Sequence, residues 1–332
     1  MNTSTLSSGF DSLLVDLDGT LIRGTEPVPG AADALTATGL PVVYVTNNAS
    51  RAPADTAAHL TGMGFTVDAT EVMTSAQAAV VMLGDHVLPG AAVLVVGHDS
   101  FRALAAGAGY RVVRSADDEP DAVLQGLSRE MTWSELAEGC LAIRRGVPWI
   151  ASNVDTTLPT ERGLLPGNGS LVAALRAATD REPLVAGKPA AGVLRAAADL
   201  VDSSRPLVIG DRLDTDIEGA VAAEMPALMV LTGVNNAMDL LLAPPHRRAT
   251  HLARDLSALA EPDAHSRIDA ARELEHRVVG RRLTVDVLPD DLAGPDLARS
   301  VVRLAWRHDA TGLEAEDPSV RSRLADAGLR VG

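Results

Sequence analysis

Four short apolar runs, each handing over directly to polar side chains, constrain this chain more than any other feature. Leu13-Leu14-Val15 ends in Asp16-Leu17-Asp18-Gly19-Thr20, and Pro41 to Val45 ends in Thr46-Asn47-Asn48-Ala49-Ser50. Pro183 to Ala186 ends in Gly187-Lys188-Pro189, and Pro206 to Ile209 ends in Gly210-Asp211-Arg212-Leu213-Asp214-Thr215-Asp216. Apolar runs of this length between turn formers predict buried parallel strands. Between the first two, Gly30 to Leu35 reads as a helix that stops at Gly39, and after the second, Pro53 suits the first turn of a helix through Met63. Alternating strands and helices predict an α/β fold, whose ligands bind beyond the carboxyl ends of the strands.

The four polar sets differ in chemistry. Asp16 and Asp18 are expected to share a face, so that an ionised Asp16 can attack while Asp18 transfers a proton. Taken alone, these residues fit a solvated Asp-x-Asp-Gly turn, or half of a calcium loop, about as well. The fuller EF-hand pattern does not follow, because Leu21 and Ile22 stand where oxygen ligands are needed. Thr46 and Asn47, ahead of a helix start, make either a capped polar turn or an anion seat. Lys188 alone reads most simply as a surface charge. It is not part of a Walker loop, since Glu182 replaces the first glycine and Pro189 the Ser or Thr. Together the sets form an attacking carboxylate, donors for phosphate oxygens, a balancing cation and a hard-cation site. Magnesium suits the last, because it prefers oxygen ligands and is held by one or two carboxylates plus substrate phosphate.

The middle of the chain, residues 84–182, repeats the alternation. Ala92 to Val96, Ala122 to Leu124 and Val147 to Ala151 are predicted strands; Ser100 is expected to open one helix and Thr132-Trp133-Ser134-Glu135 to cap another. Ser152 to Pro159 reads as a polar turn. Pro166 to Ser170 resembles a dinucleotide loop only superficially, because Val172 takes the third glycine position and no clear strand precedes it. With 332 residues, 46% of them hydrophobic but only 2% aromatic, the core must be built mainly from Ala, Val and Leu. The net charge of -15 argues against nucleic acid and anionic membranes as partners. The single Cys140 allows no internal disulfide and is expected to be a small buried hydrophobe. No run approaches a membrane span and residues 1–10 do not read as a leader, so the expected location is cytoplasmic.

On the four motifs, in this order, the chain resembles the haloacid dehalogenase-like hydrolases over residues 10–262, in particular the p-nitrophenyl-phosphatase-like subgroup with a large inserted cap. The resemblance implies a Rossmann-like parallel-sheet core (residues 1–83 and 183–262), an inserted α/β cap domain (84–182) and a small α+β C-terminal extension (263–332). It implies a magnesium-dependent phosphatase in which Asp16 is nucleophile and metal ligand and Asp18 is the acid/base, its backbone carbonyl also on the metal. Thr46, Asn47 and Lys188 then hold the phosphoryl group, Asp211 is a metal ligand, Asp216 supports the site from behind, and the Arg212 turn approaches the substrate. The expected substrate is a small phosphate monoester. Glycerol 3-phosphate is favoured, with phosphoglycolate, pyridoxal phosphate, a phosphotransferase reaction and a non-catalytic phosphate sensor or scaffold as alternatives. Residues 263–332 resemble the acetyltransferase-like (GNAT-like) region of some members. Ile268 to Val279 and Asp296 to Trp306 are predicted helices around a strand at 283–287. Because Arg282 spoils the pyrophosphate loop begun by Arg277 to Gly280, docking, packing or homo-oligomer formation is expected there rather than acyl transfer.

Overall fold

The computed structural model describes residues 4–49, 51–160 and 162–332; residues 1–3, Glu161 and Ser50, the end of the predicted Thr46-to-Ser50 turn, lie outside it. The chain divides into two compact units, Met1–Val43 with Val201–Gly332, and Tyr44–Leu200.

In the first unit the strands Ser12–Val15, Pro206–Gly210, Ala227–Val230 and His251–Ala253 run parallel in that order. Their register aligns Val15 with Ile209 and Gly210 with Met229, which brings the carboxyl ends together. Leu13, Leu14, Val15, Leu207, Val208 and Ile209 are all buried, as continuous apolar runs in parallel sheets require. The Leu13 N–H donates to the Pro41 carbonyl at 2.9 Å, just before the strand Val42–Thr46 carries the chain into the second unit. The predicted first helix spans Ala31–Thr38 and stops at Gly39, whose φ of 64° a residue with a Cβ adopts only under strain.

Residues 263–332 extend this unit. Arg277–Val279 pairs antiparallel with Arg282–Thr284, which pairs parallel with Gly312–Glu314. The helix expected over 268–279 is absent. Its buried Ile268, Ala271 and Leu274 lie on irregular chain, and a turn at Gly280 (φ 60°) draws Arg277–Val279 into a hairpin. Tertiary pairing overrides helix propensity here. The other predicted tail helix forms as Gly294–Arg307, burying Leu297, Val301, Val302 and Leu304 completely. Trp306 Nε1 donates to the Leu240 carbonyl at 3.1 Å, fastening that helix to the helix Ala237–Leu241.

In the second unit Tyr44–Thr46 pairs parallel with Val72–Thr74. A separate five-stranded parallel sheet runs Leu184–Val185, Trp149–Ala151, Ala122–Gln125, Ala92–Val96, Arg111–Val113. The predicted capping box of Thr132 with Glu135 forms, and a second joins Thr74 with Gln77. The helix expected to open at Ser100 is instead capped by His98, whose Nδ1 accepts from the Ser100 N–H at 3.2 Å. Cys140 is half-buried against the apolar cluster around Val96, Ile143 and Leu175. A hairpin of Thr157–Thr160 and Gly163–Pro166 replaces part of the predicted turn, so a strand does precede Pro166 to Ser170, which enters the helix Asn168–Thr179 as expected. Among the described residues no helix is long and apolar enough to cross a membrane.

Candidate active site

The carboxylates of the first unit are assembled by backbone that comes too close for ordinary side chains. Asp16 follows directly on Ser12–Val15, and its N–H extends the ladder by donating to the Ile209 carbonyl at 2.9 Å. The chain then turns tightly, the Leu17 carbonyl accepting from the N–H groups of Leu21 and Ile22 at 2.8 and 3.0 Å. Gly19 sits in this turn at φ 89°, where a Cβ would lie 2.3 Å from Asp211 Oδ2. Gly233 is tighter still, its hypothetical Cβ 1.9 Å from the same oxygen. At Gly210 a Cβ would meet the Asp216 side chain at 2.3 Å. Small residues are required where backbone packs onto a side chain.

These approaches fix the acids. Asp211 is fully buried and its Oδ2 accepts from the Val234 N–H at 2.6 Å, while Asp216, also buried, accepts at Oδ2 from the Arg212 N–H at 3.1 Å. Asp16, Asp211 and Asp216 each offer a carboxylate oxygen, all within 4.8 Å of one another. Carboxylates so close repel one another. A hard cation with oxygen ligands relieves that, so this donor set suits a magnesium- or calcium-type ion. Asp216, expected behind the site, is as near as the two expected ligands. Asp18 is exposed and its carboxylate is not one of these three. Arg212 grips Asp214 with two bonds of 3.0 and 2.9 Å, and this pairing pulls the Asp214 carboxyl below its ordinary range. Asp214 and Asp216 both ride on a single π-turn, Leu213–Ile217, a local widening frequent at functional sites.

The second unit assembles the cationic set around Asn47. The Asn47 side chain clasps the main chain of Lys188, accepting from its N–H at 2.9 Å and donating to its carbonyl at 3.0 Å. The same amide donates to Asp155 at 3.3 Å, and the Asn47 carbonyl accepts from Ser75 Oγ and Asn153 Nδ2 at 2.7 and 2.8 Å. Gly187 makes the clasp possible, since a Cβ there would sit 2.6 Å from Asn47 Oδ1. Lys188 is thereby buried, with Nζ donating to the Val45 carbonyl at 3.1 Å. Thr46 is buried and its hydroxyl accepts from the Asn48 N–H at 3.0 Å. Ser75, Asn153 and Asp155 were not among the expected site residues. The polar turn after the Trp149–Ala151 strand was the available signal for the last two, and the capping box disguised the first.

Residues 13–111 match the haloacid dehalogenase-like hydrolase family and residues 185–259 a second, HAD-hydrolase-like description. D-glycerol 3-phosphate phosphatase of Mycobacterium tuberculosis is 46% identical, over 96% of this chain and 94% of that protein. The 5'-nucleotidase YutF of Bacillus subtilis is 37% identical, over 68% of this chain and 88% of its own. Among solved structures, glycerol phosphate phosphatase Rv1692 of M. tuberculosis in complex with magnesium matches with a TM-score of 0.94 at 46% identity, covering 99% of this chain and 100% of that one. Motifs, carboxylate geometry and relatives agree, and the chain belongs to the haloacid dehalogenase-like hydrolases.

Proposed function

We propose that this chain is a magnesium-dependent phosphatase acting on glycerol 3-phosphate. The observation that carries the reading is the trio of half-buried Asp16 and buried Asp211 and Asp216, on a chain 46% identical along almost its whole length to a D-glycerol 3-phosphate phosphatase. Asp16, Asp211 and the Asp18 carbonyl would hold magnesium, with Asp216 close enough to join them or to steer them. Bound there, the ion offsets negative charge on the phosphoryl oxygens.

The residues carry the bond changes. Asp16 attacks phosphorus as the ester P–O bond breaks, and protonated Asp18 gives its proton to the leaving alkoxide. Asp18, now ionised, takes a proton from water, whose oxygen attacks the aspartyl phosphate; inorganic phosphate leaves and Asp16 is restored. Lys188 and Thr46 are assigned to the phosphoryl oxygens, as the family resemblance implies. Asn47 is assigned to hold Lys188, because its amide is already spent on the lysine's main chain. Residues 84–182 are read as the cap that selects the substrate and excludes water. The partner is thus a small phosphate monoester, not nucleic acid or membrane, in a cytoplasmic protein.

A phosphate-release panel with magnesium tests this reading. Glycerol 3-phosphate is expected to give the highest kcat/KM among glycerol 3-phosphate, phosphoglycolate, pyridoxal phosphate, nucleotides and sugar phosphates. A tenfold preference for another compound, about 1.4 kcal/mol in transition-state stabilisation, overturns the substrate. Capture of the phosphoryl group by added alcohol in place of water would make the enzyme a phosphotransferase.

A further inference from the structure

A cleft of about 890 Å³ lies wholly within the first unit, between the core strands and the tail. It reaches Pro226 and Thr250, immediately ahead of Ala227–Val230 and His251–Ala253, and so opens at the amino ends of the strands, whereas Asp16 and Asp211 stand at the carboxyl ends. Nothing in the hydrolytic reaction uses it. Its volume is in the range of small-molecule sites. In a chain carrying a net charge of -15, three arginines, Arg267, Arg303 and Arg307, line this one cleft, together with the rings of Phe10 and Trp306.

The arginines differ in how they are engaged. Arg267 is matched by Asp269 at 2.7 Å and by Asp263 at 3.6 Å, both of which also line the cleft. Arg303, whose Nη1 donates to the Ala271 carbonyl, and Arg307, one turn on along Gly294–Arg307, both approach a single carboxylate, Glu273, at 3.6 and 2.8 Å, Glu273 itself standing outside the cleft lining. Glu273 is half-exposed, so this grip on an oxyanion is exchangeable. Two guanidinium groups around one oxyanion suit a phosphate, and the rings of Phe10, edge-on to His251, and Trp306, with Arg248 over it at 5.0 Å, offer flat apolar surface to a planar ring.

We infer that this cleft is a second ligand site, taking a purine nucleoside monophosphate or a close relative, with its phosphate on Arg303 and Arg307 in place of Glu273 and its ring against Phe10 and Trp306. The phosphate displaces a residue of the chain itself, so the two partners of that ion pair act in opposite directions. Removing an arginine weakens binding. Removing the competing carboxylate strengthens it.

Titration calorimetry with adenosine monophosphate, in EDTA and on full-length Asp16→Asn protein to prevent turnover, tests the site. One equivalent is expected to bind, at least tenfold more weakly in the added Arg307→Gln variant and several-fold more tightly in the added Glu273→Gln variant. Arg307 is exposed, so its replacement is expected to leave the fold and, in the protein with Asp16 intact, glycerol 3-phosphate hydrolysis unchanged. Adenosine and inorganic phosphate alone are each expected to bind less well than the joined molecule. Absence of binding at millimolar nucleotide overturns the inference, as does binding that neither variant alters, which would locate the nucleotide elsewhere. A change of oligomeric state on Arg307→Gln in place of an affinity change would assign the cleft to a second copy of the chain.

Discussion

Asp16 and Asp18 stand two residues apart and are set apart by environment, one half-buried within a carboxylate trio and the other exposed. Asp16→Asn is expected to abolish turnover without unfolding the chain, because an amide forms no acyl phosphate; phosphate release from a verified folded sample checks it. Asp18→Asn is expected to lose about 10²–10⁴-fold through proton transfer alone. Lys188→Ala is expected to raise KM and to lower kcat on the order of 10²-fold, if the lysine meets charge that grows in the transition state. Asp16 and Asp211 were legible in the sequence because each follows an apolar strand directly. What holds them was not. The Val234 N–H on Asp211 comes from a loop more than twenty residues downstream, and only the sheet register brings it there.

At the level of elements, local signals performed well where the chemistry was local. The Thr74–Gln77 and Thr132–Glu135 boxes and the glycine stop of Ala31–Thr38 each depend on neighbours within four residues. The Thr157–Pro166 hairpin escaped notice because both described faces of Gly163–Pro166 are exposed, leaving no apolar alternation to read. The Ile268–Val279 region misled for the opposite reason, since its helix-forming composition is overruled by pairing across Gly280. The turn carrying Gly233 belongs at this scale too. Gly233→Ala would drive a methyl into Asp211, so a large loss of activity is expected together with a higher magnesium requirement, read by titrating activity with magnesium. An unchanged magnesium midpoint would show that Asp211 is not positioned by this contact.

For the whole molecule, the tail is part of the first unit rather than an appendage. Leu297→Ala, at a fully buried position of Gly294–Arg307, is expected to cost about 2–5 kcal/mol, measured by denaturant unfolding. The same seam makes stability depend on pH. His251 is buried beside Thr250, at 2.8 Å, and Asp263, at 3.1 Å, with Arg267 and Asp269 near; burial lowers its pKa below the ordinary 6.5, only partly opposed by Asp263. The unfolded chain therefore binds the proton more readily. Its contribution is intact above about pH 6.5 and lost as pH falls through the folded value, so melting temperature is expected to drop from about pH 7.5 to about 5.5, less steeply in His251→Gln.

The pairing of Ser12–Val15 with Pro206–Gly210 also sets an order of events on the ribosome. The strand that presents Asp16 is made early, yet its neighbour follows some 190 residues later, a wait of roughly 10–40 s at ordinary synthesis rates. Tyr44–Leu200 is continuous in sequence and can fold as it emerges. The strand that leads into Asp16 must instead stay unpaired on that side, its apolar residues open to chaperones, until the second half of its own unit has been translated.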